Sequence, residues 1–156
     1  LRSPYIKQAD VLQGIYFFED KFDIKKIKNN YEFYEKFTVH ESSLSPCIHS
    51  IIACKLGNTK SAHELFKRAS RLDLDNYNKE VEEGLHITSM AGSWLTVVEG
   101  FAGMRVKNNS LHFTPCLPKN WKALEFKINF RQNIYKIGFS KNLFQCSLSL
   151  NQDCFI

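Results

Sequence analysis

The sequence predicts an α + β chain, helical up to about Gly103 and then an antiparallel β region. Three observations carry this. Apolar residues recur at three- and four-residue spacing up to Gly103, the spacing then changes to strict alternation, and Gly, Pro and an Asn-Asn pair fall where the runs stop.

Ser3-Pro4 reads as a cap followed by Pro at the first helical position. The stretch from Tyr5 to Phe18 then carries Ile6, Ala9, Val11, Leu12, Ile15 and Tyr16 at helical spacing, which puts Lys7 and Gln8 on a first helix. A second helix runs from after Asp23 to about Phe37, with Ile24, Ile27, Tyr31 and Tyr34 on one side and Lys25, Lys26 and Lys28 on a solvated face. Ser45-Pro46 repeats the cap-plus-Pro signal, and Ile48, Ile51, Ile52 and Leu56 follow until Gly57 stops the helix. The fourth helix, from about Thr59, has Ala62, Leu65, Phe66, Ala69 and Leu72 as its apolar stripe. Asp73 to Asn78 is too rich in Asp and Asn for a helix interior and reads as a loop, of the kind that often lines a site. The fifth helix begins near Thr88 or Ser89 and is expected to bury Met90, Trp94, Leu95, Val98 and Phe101, with Gly100 and Gly103 weakening its end.

Beyond Gly103, Leu111 and Phe113 alternate with polar neighbours after an Asn108-Asn109 turn, and Pro115 and Pro118 break the chain. Leu124, Phe126, Ile128 and Phe130 then alternate with Glu125, Lys127 and Asn129, and Tyr135, Ile137, Phe139, Phe144, Cys146, Leu148 and Leu150 continue the period. This is a meander with one buried face. Five helices joined by site-like loops suit part of a helical toroid, and about five strands suit half of a sandwich.

At 156 residues, with 44% hydrophobic and 24% charged residues, the composition is that of a globular protein with a real core. The net charge of +5 suits an anionic substrate but is scattered, and the short run Lys25-Lys26-Ile27-Lys28 is no coherent stripe for nucleic acid. No run approaches the roughly 18 apolar residues of a membrane span. Leu1-Arg2-Ser3-Pro4 has neither Met nor a leader pattern and reads as a chain entered in mid-protein. The five cysteines lack CxxC spacing; Cys47 and Cys54 share one apolar helical pattern and read as buried thiols, so a cytoplasmic location is expected.

Two polar clusters stand out: His40-Glu41-Ser42-Ser43-Leu44-Ser45-Pro46 and Gly84-Leu85-His86-Ile87-Thr88-Ser89. Each precedes a helix, where unpaired backbone N–H groups favour an anion. If the two helix starts lie side by side, they form a pocket for something like phosphate. A helix cap needs one hydroxyl, and Ser42, Ser43 and Ser45 stand within four residues. His86 is either a ligand for the anion or a buried histidine bonded to a carbonyl. Glu41 is either a general base or an orienting neighbour, and Lys7 is either a ligand or a solvated charge. His49, His63 and His112 show no metal-ligand spacing with one another and are assigned no chemistry.

Taken together, Lys7-Gln8-Ala9-Asp10-Val11-Leu12, the string from His40 to Ile48, Arg71-Leu72-Asp73-Leu74-Asp75-Asn76 and the segment from Gly84 to Trp94 resemble glycoside hydrolase family 65. The phosphorylase branch, with its maltose, kojibiose and trehalose phosphorylases, is the nearest likeness. Phe101-Ala102-Gly103-Met104-Arg105-Val106 and Leu117-Pro118-Lys119-Asn120-Trp121 resemble that family's passage into its C-terminal β domain. The likeness covers nearly residues 4 to 140.

The resemblance implies the last helices of an (α/α)6 barrel over residues 1–103 and a partial β-sandwich over 104–156. It implies attack of inorganic phosphate on an α-glucoside with inversion, giving β-glucose 1-phosphate and a sugar, with no cofactor and no metal. By position, Ser42, Ser43 and His86 would hold the phosphate with Thr88 beside them, and Lys7 and Gln8 would contact the glucosyl unit. The family's general acid is a Glu upstream of the matched region, so no catalytic residue is assigned here and the fragment alone is expected to be inactive. The expected partners are a disaccharide and phosphate, with no nucleic acid or membrane, and the parent enzyme is expected to be a homodimer. Two alternatives remain: a family 65 hydrolase in which Glu41 activates water, and a non-catalytic remnant that binds phosphate or sugar.

Overall fold

A computed structural model describes residues 4–76, 79, 81–140 and 143–148. The chain divides into two compact units, residues 1–118 and 119–156. In the first unit α1 (Asp10–Phe17), α2 (Ile24–Phe37), α3 (Ser45–Lys55), α4 (Thr59–Ser70) and α5 (Ile87–Leu95) are followed by a hairpin of β1 (Arg105–Lys107) and β2 (Ser110–His112). In the second unit β3 (Ala123–Phe130), β4 (Asn133–Ser140) and β5 (Leu143–Leu148) form an antiparallel sheet in the order β3-β4-β5. The α + β class and the order of elements follow the sequence pattern.

The centre of the helical unit is α3. Every residue from Ser45 to Cys54 is buried, and α1, α2, α4 and α5 all pack against this helix. Burying Ile48, Ile51 and Ile52 contributes about 1.5–3 kcal/mol each. Ser50 of the same helix is satisfied inside: its hydroxyl donates to the Ala62 carbonyl at 2.7 Å, which also pins α4 against α3. An Asn58 cap holds the start of α4 by accepting from the Ser61 N–H at 3.1 Å, as Asp23 does for α2 from the Lys26 N–H at 2.8 Å.

Small residues set how closely α5 approaches. A Cβ added at Gly92 would sit 2.4 Å from the Cys47 sulfur, so only glycine lets the two helices meet there. The Ser89 hydroxyl donates to the Ala69 carbonyl at 2.8 Å, and Thr96 Oγ1 donates to the Gly92 carbonyl at 2.8 Å where the helix loosens into a π-helical segment, Thr96–Phe101. Gly103 ends that segment at φ +61°, and any side chain there would collide with the Thr114 carbonyl oxygen.

Several expectations need correction. The first helix starts at Asp10 and not at Tyr5, because Ile6 pairs in parallel with Thr38: the Ile6 N–H donates to the Phe37 carbonyl at 2.9 Å and the Val39 N–H to the Ile6 carbonyl at 3.0 Å. Lys7 and Gln8 therefore sit on a bend before α1. Ser3 of the expected cap, Tyr77 and Asn78 of the expected loop, and Leu150 and Cys154 lie outside the described residues. Ser45 is the first residue of α3 and not its cap. Met90, Trp94 and Leu95 are exposed, because α5 turns Ser89 and Gly92 toward its neighbours; Val98 and Phe101 are buried as expected.

In the second unit Leu124, Phe126, Ile137 and Phe139 form the buried face, with cross-strand pairs Leu124–Phe139 and Phe126–Ile137. Arg131 and Gln132 both take left-handed backbone angles, which gives β3 and β4 their tight turn. Asn108 and Asn109 do the same between β1 and β2, as the sequence predicted.

Gly92→Ala is expected to lower the unfolding free energy by about 1–3 kcal/mol through overpacking against Cys47. Adding Cys47→Ala should restore part of that loss. Denaturant midpoints of the two variants check the coupling, and additive losses would show that the contact is not the cause.

Candidate functional site

The first wall of the site is the turn between α2 and α3. His40 takes φ +56° and reverses the chain. Its ring is held by Ser45, with Nδ1 and Oγ 2.8 Å apart, and its carbonyl accepts from Arg68 Nη2 of α4 at 2.9 Å. His40 Nε2 lies 3.5 Å from Glu35 Oε1 of α2, and His49 Nδ1 of α3 is bonded to the other oxygen of the same carboxylate. Burial alone would raise the Glu35 pKa, but its contacts with His40 and His49 bring it down to about 2. Burial pushes His49 below the usual imidazole range, so a neutral ring donates to an ionised carboxylate. Glu41, Ser42 and Ser43 follow directly from this anchored point.

The second wall is the turn after α4. Arg71 makes a two-pronged pair with Asp75 at 2.7 and 2.6 Å, which closes the turn around Asp73. Asp73 reaches His86, the residue that caps α5: Oδ1 lies 2.5 Å from ring Nδ1, and Oδ2 accepts the main-chain N–H at 2.9 Å. The bond with the ring, followed by that with the main chain, holds the Asp73 carboxyl below its usual range.

The two walls meet. Ser43 Oγ and Thr88 Oγ1 are 2.9 Å apart, which links the turn before α3 to the first turn of α5. Beside them lies a cavity of about 500 Å³, lined by Lys7, Gln8 and Asp10 from the N-terminal segment, Glu41, Ser42 and Ser43 from the turn, and His86. The donor inventory suits an anion. One hydroxyl of the Ser43–Thr88 pair donates to the other, leaving a second O–H; Ser42 Oγ accepts the Leu44 N–H at 3.3 Å and keeps its own O–H. Asp10 and Glu41 bring negative charge to the same cavity, and Asp10 already accepts from Gln8 Nε2 at 3.1 Å.

Among the described residues, Glu35, His40 and His49 are the group whose possible metal-binding atoms lie within 4.8 Å of one another. Glu35 bonds directly to His49, and Ser45 takes His40 Nδ1, while His40 Nε2 and His49 Nε2 are buried without a hydrogen-bond partner among the described residues. A second cavity of about 530 Å³ is crossed by ion pairs: Arg105 grips Glu19 at 2.8 and 3.1 Å, and Lys55 reaches the same carboxylate at 3.2 Å. Cys54 and Cys116 line it, and their mutual hydrogen bond together with burial raises the Cys54 thiol.

The structure thus brings Lys7, Gln8, Ser42, Ser43 and His86 to one cavity, with Thr88 joined through Ser43. It also places Glu41 and Asp10 there, and His49, which the spacing left without a part, inside the network that supports the turn. Asp73 was legible as a residue of a polar loop and of a motif of the resembled family, but not as the partner of His86.

Fold and cavity together define an α + β chain whose converging helix starts present hydroxyls and an imidazole, followed by antiparallel strands. Residues 1–95 match the glycosyl hydrolase family 65 central catalytic domain and residues 104–149 the C-terminal domain of that family. The chain belongs to glycosyl hydrolase family 65. It is 60% identical over 134 residues to a maltose phosphorylase of Bacillus subtilis, covering 86% of this chain and 18% of the relative. It is 47% identical over 130 residues to an α,α-trehalose phosphorylase of Thermoanaerobacter brockii, covering 83% of this chain and 17% of the relative. A solved structure from the human microbiome, assigned as a kojibiose phosphorylase, is similar with a TM-score of 0.86 at 43% identity, covering 93% of this chain and 20% of that one. The chain thus spans less than a fifth of the length of these curated relatives. No described helix is long and apolar enough to cross a membrane.

The network sets an acid limit. His49 and Glu35 both bind protons less readily folded than unfolded, so stability falls as pH drops below 6.5 through His49, and again from 4.5 toward about 2 through Glu35. Glu35→Gln should remove about 1–3 kcal/mol at pH 7 and flatten the loss between pH 4.5 and 3. Unfolding midpoints measured across this range check both; an unchanged acid slope in the variant would count against the network.

Proposed function

We propose that this chain is the phosphate-binding C-terminal part of an inverting disaccharide phosphorylase, which converts an α-glucoside and inorganic phosphate to β-glucose 1-phosphate and a sugar. The observation that carries the reading is the convergence of two helix starts, joined by Ser43 and Thr88, on a cavity that also holds Ser42, His86, Lys7 and Gln8. Ser42, Ser43, Thr88 and His86 hold the phosphate; Lys7 and Gln8 contact the glucosyl unit. Two helix N-termini add a favourable field for the anion. Residues 1–103 belong to the catalytic barrel and 104–156 to the β domain. Phosphate is a co-substrate, and the scheme needs no cofactor. The general acid comes from the remainder of the catalytic domain, so this chain supplies the nucleophile's side of an inverting displacement.

Glu41 in the cavity wall favours one rival reading, hydrolysis with Glu41 activating water. In the full-length polypeptide that carries this sequence, cleavage of maltose, trehalose or kojibiose should require phosphate and release β-glucose 1-phosphate, which NMR of the anomeric proton identifies. Sugar release without phosphate would establish hydrolysis instead. Ser42→Ala with Ser43→Ala should raise the phosphate KM about 10- to 100-fold, as expected for loss of bonds to a charged ligand, and leave the disaccharide KM within about threefold.

A further inference from the structure

We infer that Asp73 is the positioning residue for phosphate: it fixes the His86 ring against the start of α5 and keeps it as a cationic donor to the anion. The inference rests on the phosphorolytic reading above and adds a residue to it.

The geometry is a two-point clamp. One oxygen of Asp73 takes the His86 main-chain N–H at 2.9 Å and the other lies 2.5 Å from ring Nδ1, so backbone and ring of one residue are held by one carboxylate. Neither χ1 nor χ2 of His86 can turn without breaking the ring bond. The clamp comes from another part of the chain, the turn closed by the Arg71–Asp75 pair, so it does not move with α5. Only 13% of the Asp73 side chain and 23% of that of His86 are exposed, which limits competition from water.

The chemistry follows from the tautomer. With Nδ1–H committed to a carboxylate, Nε2 is the ring atom for a ligand in the cavity. A neutral ring would offer phosphate a lone pair there, whereas an imidazolium offers an N–H. An ionised Asp73 in contact favours the imidazolium, and a bound dianion favours it further. The other charged groups around the cavity are Lys7, Asp10 and Glu41: Lys7 opposes the charged ring, the two carboxylates support it.

The test uses the full-length polypeptide, inorganic phosphate and whichever of maltose, trehalose and kojibiose it cleaves. Asp73→Asn keeps the size and an acceptor for the main-chain N–H but removes the charge. It should raise the phosphate KM about tenfold, the scale of one charge-assisted bond, with the disaccharide KM unchanged, and move the alkaline limb of the phosphate profile to lower pH. Should that variant not accumulate as folded protein, Asp73→Ser carries the same expectation. Wild-type phosphate KM and an unmoved pH profile in a folded variant would overturn the inference. His86→Ala separates the two levels: if it too leaves the phosphate KM unchanged, the phosphate site itself has been misplaced, whereas a loss in His86→Ala without one in Asp73→Asn sinks only the part given to Asp73.

Discussion

The contact on which the helical unit depends is the Glu35 carboxylate held between two imidazoles. It ties the last turn of α2 to the loop residue His40 and to His49 at the middle of α3. An unpaired carboxylate at that place would be costly, and so would an unpaired buried His49. Each group is tolerated because the others are present, so α2, the turn and α3 must be assembled together. That coupling fixes where α3 begins, and hence where Ser42 and Ser43 stand. A buried polar network here acts as a positional constraint on a turn that apolar packing alone would leave free to shift.

Close packing places the second helix start beside the first. Gly92 against Cys47 brings α5 onto α3, and the Ser89 bond to the Ala69 carbonyl sets its height on α4. Interiors are dense enough that one added methyl group is felt, so the distance between Ser43 and Thr88 is governed by small residues within two turns of the cavity. Structural and functional demands thus fall on the same helix: its buried side is glycine and serine, which leaves Met90 and Trp94 on the exposed side.

The helices, the change of period near Gly103 and the two polar clusters were legible because each leaves a local signal: spacing, a cap, a Pro or a Gly. The start of α1 was not, because a bridge between Ile6 and Thr38, 32 positions apart, overrides the local Ser-Pro pattern. The exposure of Trp94 was hidden for a related reason, since apolar spacing says which residues share a face and not which face a neighbour's glycine permits. The clamp between Asp73 and His86 and the network of Glu35, His40 and His49 join different segments, and no spacing rule encodes such pairs. Lys7, Gln8, Ser42, Ser43 and His86 could be named as a set because each stood in a motif of the resembled family.

The cavity carries charges of both signs, which bears on how its ligands are placed. Hydroxyls, Lys7 and His86 supply donors to the cavity, and Asp10 and Glu41 supply acceptors. A carboxylate accepts well from sugar hydroxyls and repels a phosphate: two unit charges 5 Å apart at an effective dielectric constant of 20 interact by about 3 kcal/mol. On the phosphorolytic reading, Asp10 and Glu41 therefore disfavour phosphate close to themselves, which narrows the positions that the nucleophile can take in the cavity. A purely cationic cavity would bind phosphate more strongly and in more positions. A mixed one gives up affinity in exchange for fewer positions, and a defined position of the nucleophile is what an in-line displacement requires.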